Sequence, residues 1–351
     1  MKHPSLFAMM TAVAALVCFL VPSTLKADET DTLSTSLLPA LLTLMQADTT
    51  GYILPDTGVT KFYGSNTWEI DKPYDGAPYY GQDAQFNPAS QQMSYTDNGD
   101  GTVTDNLTGL MWMQADDGEE HIWAEAVADC KYLTLSGYSD WRLPSLHELF
   151  GIVDKGKSNP AINPLFTTNF SMYWTSDTDA SYNDRAWFIL FYGGITLSGS
   201  KYDAHGVRCT RSQTIRPEKE YIVNNDVVFD TSTNLMWMQS DDGILRNWEN
   251  SLSYCENLTF AGYSDWHLPN INEVESILDL TKQFPVSSID PVFSCQFGSY
   301  WSSSTYPIKT ESLEYKYDGY AYAAYFPPGQ VHNDYKFENN YVRCVRSGPL
   351  Q

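Results

Sequence analysis

The chain has 351 residues, and its 43 acidic against 21 basic side chains give a formal net charge of −22. This charge argues against nucleic acids and anionic membrane surfaces as partners. It is compatible with an exported protein that stays soluble or that binds calcium at its surface.

The first 27 residues are predicted to be a secretory signal peptide. A basic start precedes an apolar run from Leu6 to Val21, and a plausible small-residue cleavage site ends at Ala27. An uncleaved membrane anchor is the weaker alternative, and no later apolar stretch is long enough to span a bilayer. We therefore expect an exported protein in the periplasm, on the cell surface or secreted, without membrane insertion after signal cleavage.

Residues 28–93 form a lead-in that contains no copy of the repeat described below. Leu37 to Leu44 suits a short helix, whereas Tyr52 to Phe86 is rich in Gly, Pro, Asp and Tyr. We predict that this lead-in is irregular and packs on the first domain.

One stretch of sequence occurs twice. Gly137 to Leu149 begins Gly-Tyr-Ser-Asp-Trp-Arg-Leu-Pro and returns 125 residues later as Gly262 to Val274. Each repeated unit is the size of a domain, which excludes a short-period solenoid. The sequence therefore predicts two homologous domains, residues 94–212 and residues 221–347. A short linker, residues 213–220, joins them.

Each domain is predicted to contain a hairpin, two helices and then strands, which is an α+β order. Asn-Gly-Asp-Gly at Asn98 to Gly101 lies between β-prone runs and is typical of a hairpin turn. It also resembles half of a calcium loop, but Thr96 and Leu107 stand where that loop needs carboxylates, which favours the turn. A helix follows from about Trp123 to Leu133, and three or four short aromatic strands follow the motif helix.

The repeated motif predicts how the second helix of each domain begins. Ser145 followed by Glu148 reads as a capping box, and Asn270 with Glu273 keeps the same spacing. A catalytic role for these acids is the less favoured alternative. The tryptophans of the motifs are interpreted as core anchors rather than ligand platforms. The residues predicted to serve the fold are Trp112, Trp141, Pro144, Glu148, Trp174, Trp237, Trp266, Pro269, Glu273 and Trp301.

The cysteines repeat with the domains. An exported chain meets oxidising conditions, so we expect Cys130 to pair with Cys209 and Cys255 with Cys344. Cys295 has no counterpart; a buried thiol is favoured over intermolecular pairing. The spacing of Cys and His residues suits no zinc site.

Four motifs occur in order: Thr104 to Trp112, Gly137 to Ser145, Tyr173 to Ser176 and Val207 to Arg211. Together they resemble the Lcl C-terminal domain family, a bacterial domain of unknown function, in two tandem copies. The resemblance implies a fold similar to C-type lectins and to the formylglycine-generating enzyme. Each domain would then have two helices packed on short antiparallel strands and one disulfide from the first helix to the last strand. Neither copy carries the Glu-Pro-Asn, Gln-Pro-Asp or Trp-Asn-Asp motifs of calcium-dependent sugar binding, so no ligand-binding residue is carried over.

Three functions are compared. The first is a non-enzymatic, adhesin-like binding protein for a glycan or a cell-surface protein, with no required cofactor, although calcium could bind. The second is a structural component of the cell envelope without a small ligand. The third, a hydrolase, would use Asp140, His147 and Glu148, but His147 becomes Asn272 in the second copy and no catalytic motif is visible. We favour the first and expect no enzyme.

Overall fold

A computed structural model describes residues 53–66, 68–86, 88–212, 219–282, 286–307 and 319–348. Residues 51–348 form one compact unit. The predicted signal peptide, the predicted helix at 37–44 and linker residues 213–218 lie outside the described residues.

Both domains have the same order of elements. The lead-in contributes β1 (Phe62–Tyr63), β2 (Glu69–Ile70) and two 3-10 helices (Asp83–Gln85 and Ala89–Gln91). The first domain contains β3 (Tyr95–Asp97), β4 (Thr102–Asp105), β5 (Met111–Met113), α1 (Trp123–Tyr132), α2 (Leu146–Gly151), β6 (Met172–Thr178), β7 (Arg185–Leu190), β8 (Ile195–Ser200) and β9 (Thr210–Arg211). The second contains β10 (Tyr221–Asn224), β11 (Val227–Asp230), β12 (Leu235–Met238), α3 (Trp248–Glu256), α4 (Ile271–Ser276), β13 (Ser299–Thr305), β14 (Tyr320–Tyr325), β15 (Gln330–Tyr335) and β16 (Val345–Ser347).

Each domain builds two antiparallel sheets. In the first domain, one sheet has the order β3-β4-β5-β9 and the other β6-β7-β8. In the second domain, the corresponding orders are β10-β11-β12-β16 and β13-β14-β15. The last strand of each domain therefore returns to pair with the third. The predicted arrangement of two tandem domains, each with a few helices and mostly antiparallel strands, is confirmed.

The repeated motif begins α2 and α4 through capping boxes. Ser145 Oγ accepts from the Glu148 backbone N–H at 3.3 Å, and Glu148 Oε2 accepts from the Ser145 N–H at 2.8 Å. Asn270 and Glu273 make the same reciprocal pair at 2.9 and 2.8 Å. These bonds satisfy N–H groups that the first turn of a helix leaves without partners. Both glutamates are thus engaged in backbone contacts.

The motif tryptophans lie inside the domains. Trp174 Nε1 donates to the His121 carbonyl at 2.8 Å, and its counterpart Trp301 donates to Arg246 O at 2.9 Å. Each of these indoles packs its apolar ring in the core and has a hydrogen-bond acceptor for its N–H. Trp112, Trp141, Trp174, Trp237, Trp266 and Trp301 are each at most 3% exposed.

Both predicted disulfides are confirmed. Cys130 on α1 is bonded to Cys209, and Cys255 on α3 is bonded to Cys344, with Cα–Cα distances of 5.4 and 5.6 Å. Cys209 and Cys344 directly precede the last strand of their domains. Each disulfide therefore joins the first helix of its domain to the start of the last strand of that domain. Cys295 is free and half-buried, with Sγ 2.9 Å from the Ser287 hydroxyl.

A buried arginine next to each second cysteine connects two loops. The Arg208 guanidinium donates to the carbonyls of Met113, Gln114 and Thr167 at 2.6–2.9 Å. Arg343 makes the equivalent bonds in the second domain. The two arginines are 1% and 2% exposed, so backbone carbonyls replace water around their charge, together with Asp241 at 3.6 Å from the Arg343 guanidinium. The repeated Val-Arg-Cys did not by itself indicate this role.

The two domains face each other through equivalent elements. Strand β8 packs against β15, and α2 against α4. The Val331 N–H donates to Thr196 Oγ1 at 2.8 Å, and these residues are counterparts in the repeat. Tyr322 Oη donates to the Gly193 carbonyl at 2.6 Å. Contacts between equivalent positions are typical of a two-fold interface, here formed within one chain.

The lead-in crosses both domains. Thr57 O accepts from the Lys155 N–H of the first domain at 2.7 Å. Gly64 O accepts from Lys336 Nζ of the second domain at 3.0 Å, and the Tyr79 ring stacks on Trp248. The predicted packing on the first domain is present at Thr57, and the lead-in packs on the second domain as well, which the prediction did not include. The reason is that the second domain supplies matching donors and an indole face that the lead-in's carbonyls and rings can reach.

Candidate functional site

A cleft opens where the lead-in and both domains meet, and it is the candidate site. Its walls are the β1–β2 hairpin, the loop after α2 and the facing ends of β13 and β14; its volume is about 420 Å³. Cavities of this size hold small ligands in many proteins. The described lining residues are Lys61, Tyr63, Asn66, Glu69, Gly156, Lys157, Ser158, Asn159, Pro160, Thr305, Tyr306, Pro307, Gly319 and Tyr320.

Two partly exposed tyrosines, Tyr63 and Tyr320, give the cleft aromatic surface, and a third lining tyrosine, Tyr306, is buried. Burial raises the pKa of Tyr306 to about 12 and also raises the pKa of Tyr63, so both phenols stay protonated at neutral pH. The ring of Tyr320 lies against that of Tyr335, with centroids 4.2 Å apart. The exposed parts of Tyr63 and Tyr320 combine an apolar ring with a hydroxyl that donates or accepts.

Charged and amide side chains form the rim. Lys61 Nζ is 2.6 Å from Glu69 Oε2, and both side chains are more than half exposed. Lys157 pairs with Asp154 at 2.5 Å on the opposite wall. Asn66 Oδ1 accepts from the Trp68 N–H at 3.0 Å and thereby shapes the hairpin turn. The cleft therefore offers donors and acceptors around aromatic faces.

The described part of the lining contains one carboxylate, Glu69, and this carboxylate is already in an ion pair. Glycoside hydrolysis ordinarily needs two carboxyl groups on either side of the bond that breaks. Among these lining residues such a pair is not present. The arrangement is suited to holding a ligand by stacking and hydrogen bonds.

The three residues considered for hydrolysis are not assembled into one catalytic group. Asp140 accepts from Arg211 at 2.7 and 3.2 Å, and those hydrogen bonds lower the pKa of its carboxyl. Glu148 is held by its capping bonds and by Arg142 at 2.6 and 2.7 Å. His147 Nδ1 contacts Glu275 of the second domain. Each side chain thus has a separate partner, and none lines the cleft.

Two buried ionisable groups lie at the junction of the lead-in and the two domains. Asp83 is 2% exposed and accepts from the hydroxyls of Thr57 and Ser304; burial raises its pKa to about 7. Lys155 is fully buried, and burial lowers its pKa to about 7. Its ammonium donates to the Phe150 carbonyl at 2.7 Å.

Sequence reasoning missed both groups. Lys155 corresponds to Leu280 in the second repeat, and Asp83 lies in the segment without a repeat. The one sequence feature that could have indicated Lys155 is that a lysine stands where the second repeat has the apolar Leu280.

Within the described ranges, no group of three or more His, Cys, Asp or Glu side chains is placed to hold a metal ion. The sequence-based expectation that calcium could bind stays a prediction. Across those same residues, no helix has the length and apolarity needed to cross a bilayer.

Comparison with known proteins gives one family. The model of the Lcl C-terminal domain matches residues 101–211 and residues 226–346, which are the two repeated units. A search of curated proteins finds no match.

Proposed function

From the membership of this chain in the Lcl C-terminal domain family, with two copies of that domain, we propose that it is an exported, non-enzymatic protein that binds a glycan in the cleft. The cleft uses the lead-in and both domains together, so the proposal places one such site on each chain. We further propose that each domain has a C-type-lectin-like fold. The bridge from the first helix to the end of the domain supports this, as do the two short helices beside antiparallel strands.

Export is supported by the two disulfides and by the signal-like first 27 residues. Disulfides persist in oxidising compartments and are rare in the cytosol. The periplasm, the cell surface and the medium all meet this condition.

The observation that carries the proposal is the combination of two partly exposed tyrosines with a polar rim. A sugar ring has apolar C–H faces and an equatorial belt of hydroxyls. Tyr63 and Tyr320 offer surfaces for the faces, while Lys61, Glu69 and Asn66 offer groups for the hydroxyls.

A glycan panel with the mature chain, residues 28–351, tests the proposal. We expect saturable binding that weakens at least about tenfold in Tyr320→Ala and in Lys61→Ala. Tyr202→Ala is the matched control, because Tyr202 is 81% exposed and does not line the cleft. Silence across the panel, or equal loss in the control, would contradict a glycan site in this cleft. Repeating the measurement with and without millimolar calcium shows whether binding needs that ion.

A further inference from the structure

The two domains differ in how much of one equivalent face is covered. In the second domain this face consists of Trp248, Asn272, Ser303, Ser304, Thr305 and Lys336, all buried. Its counterpart, here called the open face, consists of Trp123, His147, Ser176, Asp177, Thr178 and Lys201 in the first domain. Ser176 and Thr178 are exposed there, and the other four side chains are partly exposed.

Hydrogen bonds establish that these positions are structural equivalents. Trp123 Nε1 donates to the carbonyl of Thr175 at 2.8 Å, as Trp248 Nε1 donates to Ser302 at 2.8 Å. The backbone N–H of Trp123 donates to Lys201 O at 3.1 Å, as that of Trp248 donates to Lys336 O at 3.0 Å. The difference in exposure therefore arises from what covers each face, since the underlying backbone is the same.

In the second domain, the lead-in covers this face with residues from its hairpin, its turns and the 3-10 helix Asp83–Gln85. The Tyr79 ring stacks on Trp248 with centroids 6.4 Å apart, and Lys336 Nζ donates to Gly64 O at 3.0 Å. Asn272 Nδ2 donates to Pro55 O at 2.7 Å. Ser304 Oγ donates to the Asp83 carboxylate at 2.5 Å. The face thus recognises one aromatic ring, backbone carbonyls and one acidic side chain.

The open face keeps most of these recognition groups, but Asp177 replaces Ser304 and His147 replaces Asn272; the His147 imidazole contacts Glu275. Trp123 and Lys201 retain the indole and the ammonium, with Nζ 4.7 Å from the ring centroid. Lys201 Nζ donates to Asn183 O at 2.8 Å, and an ammonium has further protons to donate. Asp177 stands where the second domain has Ser304, so the acidic group that Ser304 holds would here meet a carboxylate.

We propose that the open face docks a segment of a partner protein that carries an aromatic side chain for Trp123 and a Lys or Arg for Asp177. The lead-in of a second copy is already bound to its own second domain through Asp83 and Gly64, so it is not available for this face. A cationic segment also agrees with the net charge of −22, which attracts basic partners. The backbone carbonyls of the segment would receive the free donors of Lys201.

The lead-in itself supplies a probe. A labelled synthetic peptide of residues 54–86 carrying Asp83→Lys has the aromatic ring, the carbonyls and a cation; the natural peptide differs in that one charge. We measure the binding of each to the full mature chain by fluorescence anisotropy. The Asp83→Lys peptide should bind at least about tenfold more tightly than the natural one. In the Asp177→Ser chain this preference should disappear or reverse.

Two variants locate the binding. Trp123→Ala removes the stacking surface, and Thr178→Arg blocks an exposed position without removing a core contact; each should weaken peptide binding at least about tenfold. Phe297→Ala, a side chain 60% exposed in the second domain, is the control and should have no effect. Thermal melts check that the variants remain folded.

Three results would overturn the proposal. One is no saturable binding of the Asp83→Lys peptide up to about 1 mM. Another is binding that both variants leave unchanged. The third is loss of glycan binding in Trp123→Ala with no peptide binding to the wild-type chain, which would assign the face to saccharides.

Discussion

Asp177 and Ser304 are counterparts in the two domains and perform the same structural task with different charge. Asp177 Oδ2 accepts from the Leu146 N–H at 2.6 Å, and Ser304 Oγ accepts from the Ile271 N–H at 3.0 Å. Each N–H is the first of its helix and has no partner within the helix. The task therefore needs an oxygen acceptor and does not need a charge.

Exchanging these side chains should separate the two roles. Asp177→Ser keeps an acceptor for the Leu146 N–H, so we expect its free energy of unfolding to stay within about 0.5 kcal/mol of the wild type. Asp177→Ala leaves that N–H without its partner and should cost about 1 kcal/mol. Urea unfolding followed by tryptophan fluorescence measures both. Equal destabilisation by the two substitutions would show that the charge, and not the acceptor, supports the helix.

The two disulfides should contribute comparably to stability. They close loops with sequence separations of 79 and 89 residues. For loops of this length the chain-entropy relation gives about 4 kcal/mol each. We expect Cys130→Ala/Cys209→Ala and Cys255→Ala/Cys344→Ala to lower the free energy of unfolding by that order. Cys295→Ser, which removes the free thiol, is the control with little effect; a larger loss there than in either pair would contradict this account.

Asp83 should make the protein less stable as the pH rises from about 4 to about 7. Burial raises its pKa to about 7, and the charges of Asp56 and Glu273 add to that effect. In the unfolded chain an aspartate has a pKa of about 3.9. Between these values the folded state holds a proton that the unfolded state has lost, so the free energy of unfolding falls as pH increases.

Asp83→Asn should remove this pH dependence, because the amide is neutral throughout and its oxygen can still accept from Thr57 and Ser304. At pH 7.5 we expect the variant to be more stable than the wild type by up to roughly 3 kcal/mol, and at pH 4.5 by much less. Urea unfolding at both pH values tests this, with exposed Asp75→Asn as the control. An unchanged difference between the two pH values in Asp83→Asn would refute the assignment.

The contact between the domains should tolerate no side chain at Gly193. A Cβ there would overlap the ring of Tyr306 in the second domain, and the Gly193 carbonyl also accepts from Tyr322. We expect Gly193→Ala to destabilise the protein by about 2 kcal/mol or more. Gly151→Ala is the matched control, since its Cβ would meet Pro55 at 3.6 Å, an ordinary contact. If both substitutions were neutral, the domains would not be held as described.

Some features of this protein were determined by the sequence alone. The capping pairs Ser145–Glu148 and Asn270–Glu273 depend on residues three apart, so a local pattern is sufficient to predict them. The repeated sequence predicted the two domains. It also predicted their disulfides, because each domain has two cysteines at equivalent positions that can pair in the same way.

The tertiary structure alone decided the rest. The lead-in rests on the second domain through Asp83 and Tyr79, the cleft forms where three separate segments meet, and Arg208 connects loops far apart in the sequence. None of these contacts has a period or a fixed spacing in the chain. They depend on which faces are left uncovered once each domain has folded. Local patterns fix where helices and strands begin, whereas contacts between distant segments are chosen by shape and by the pairing of buried polar groups.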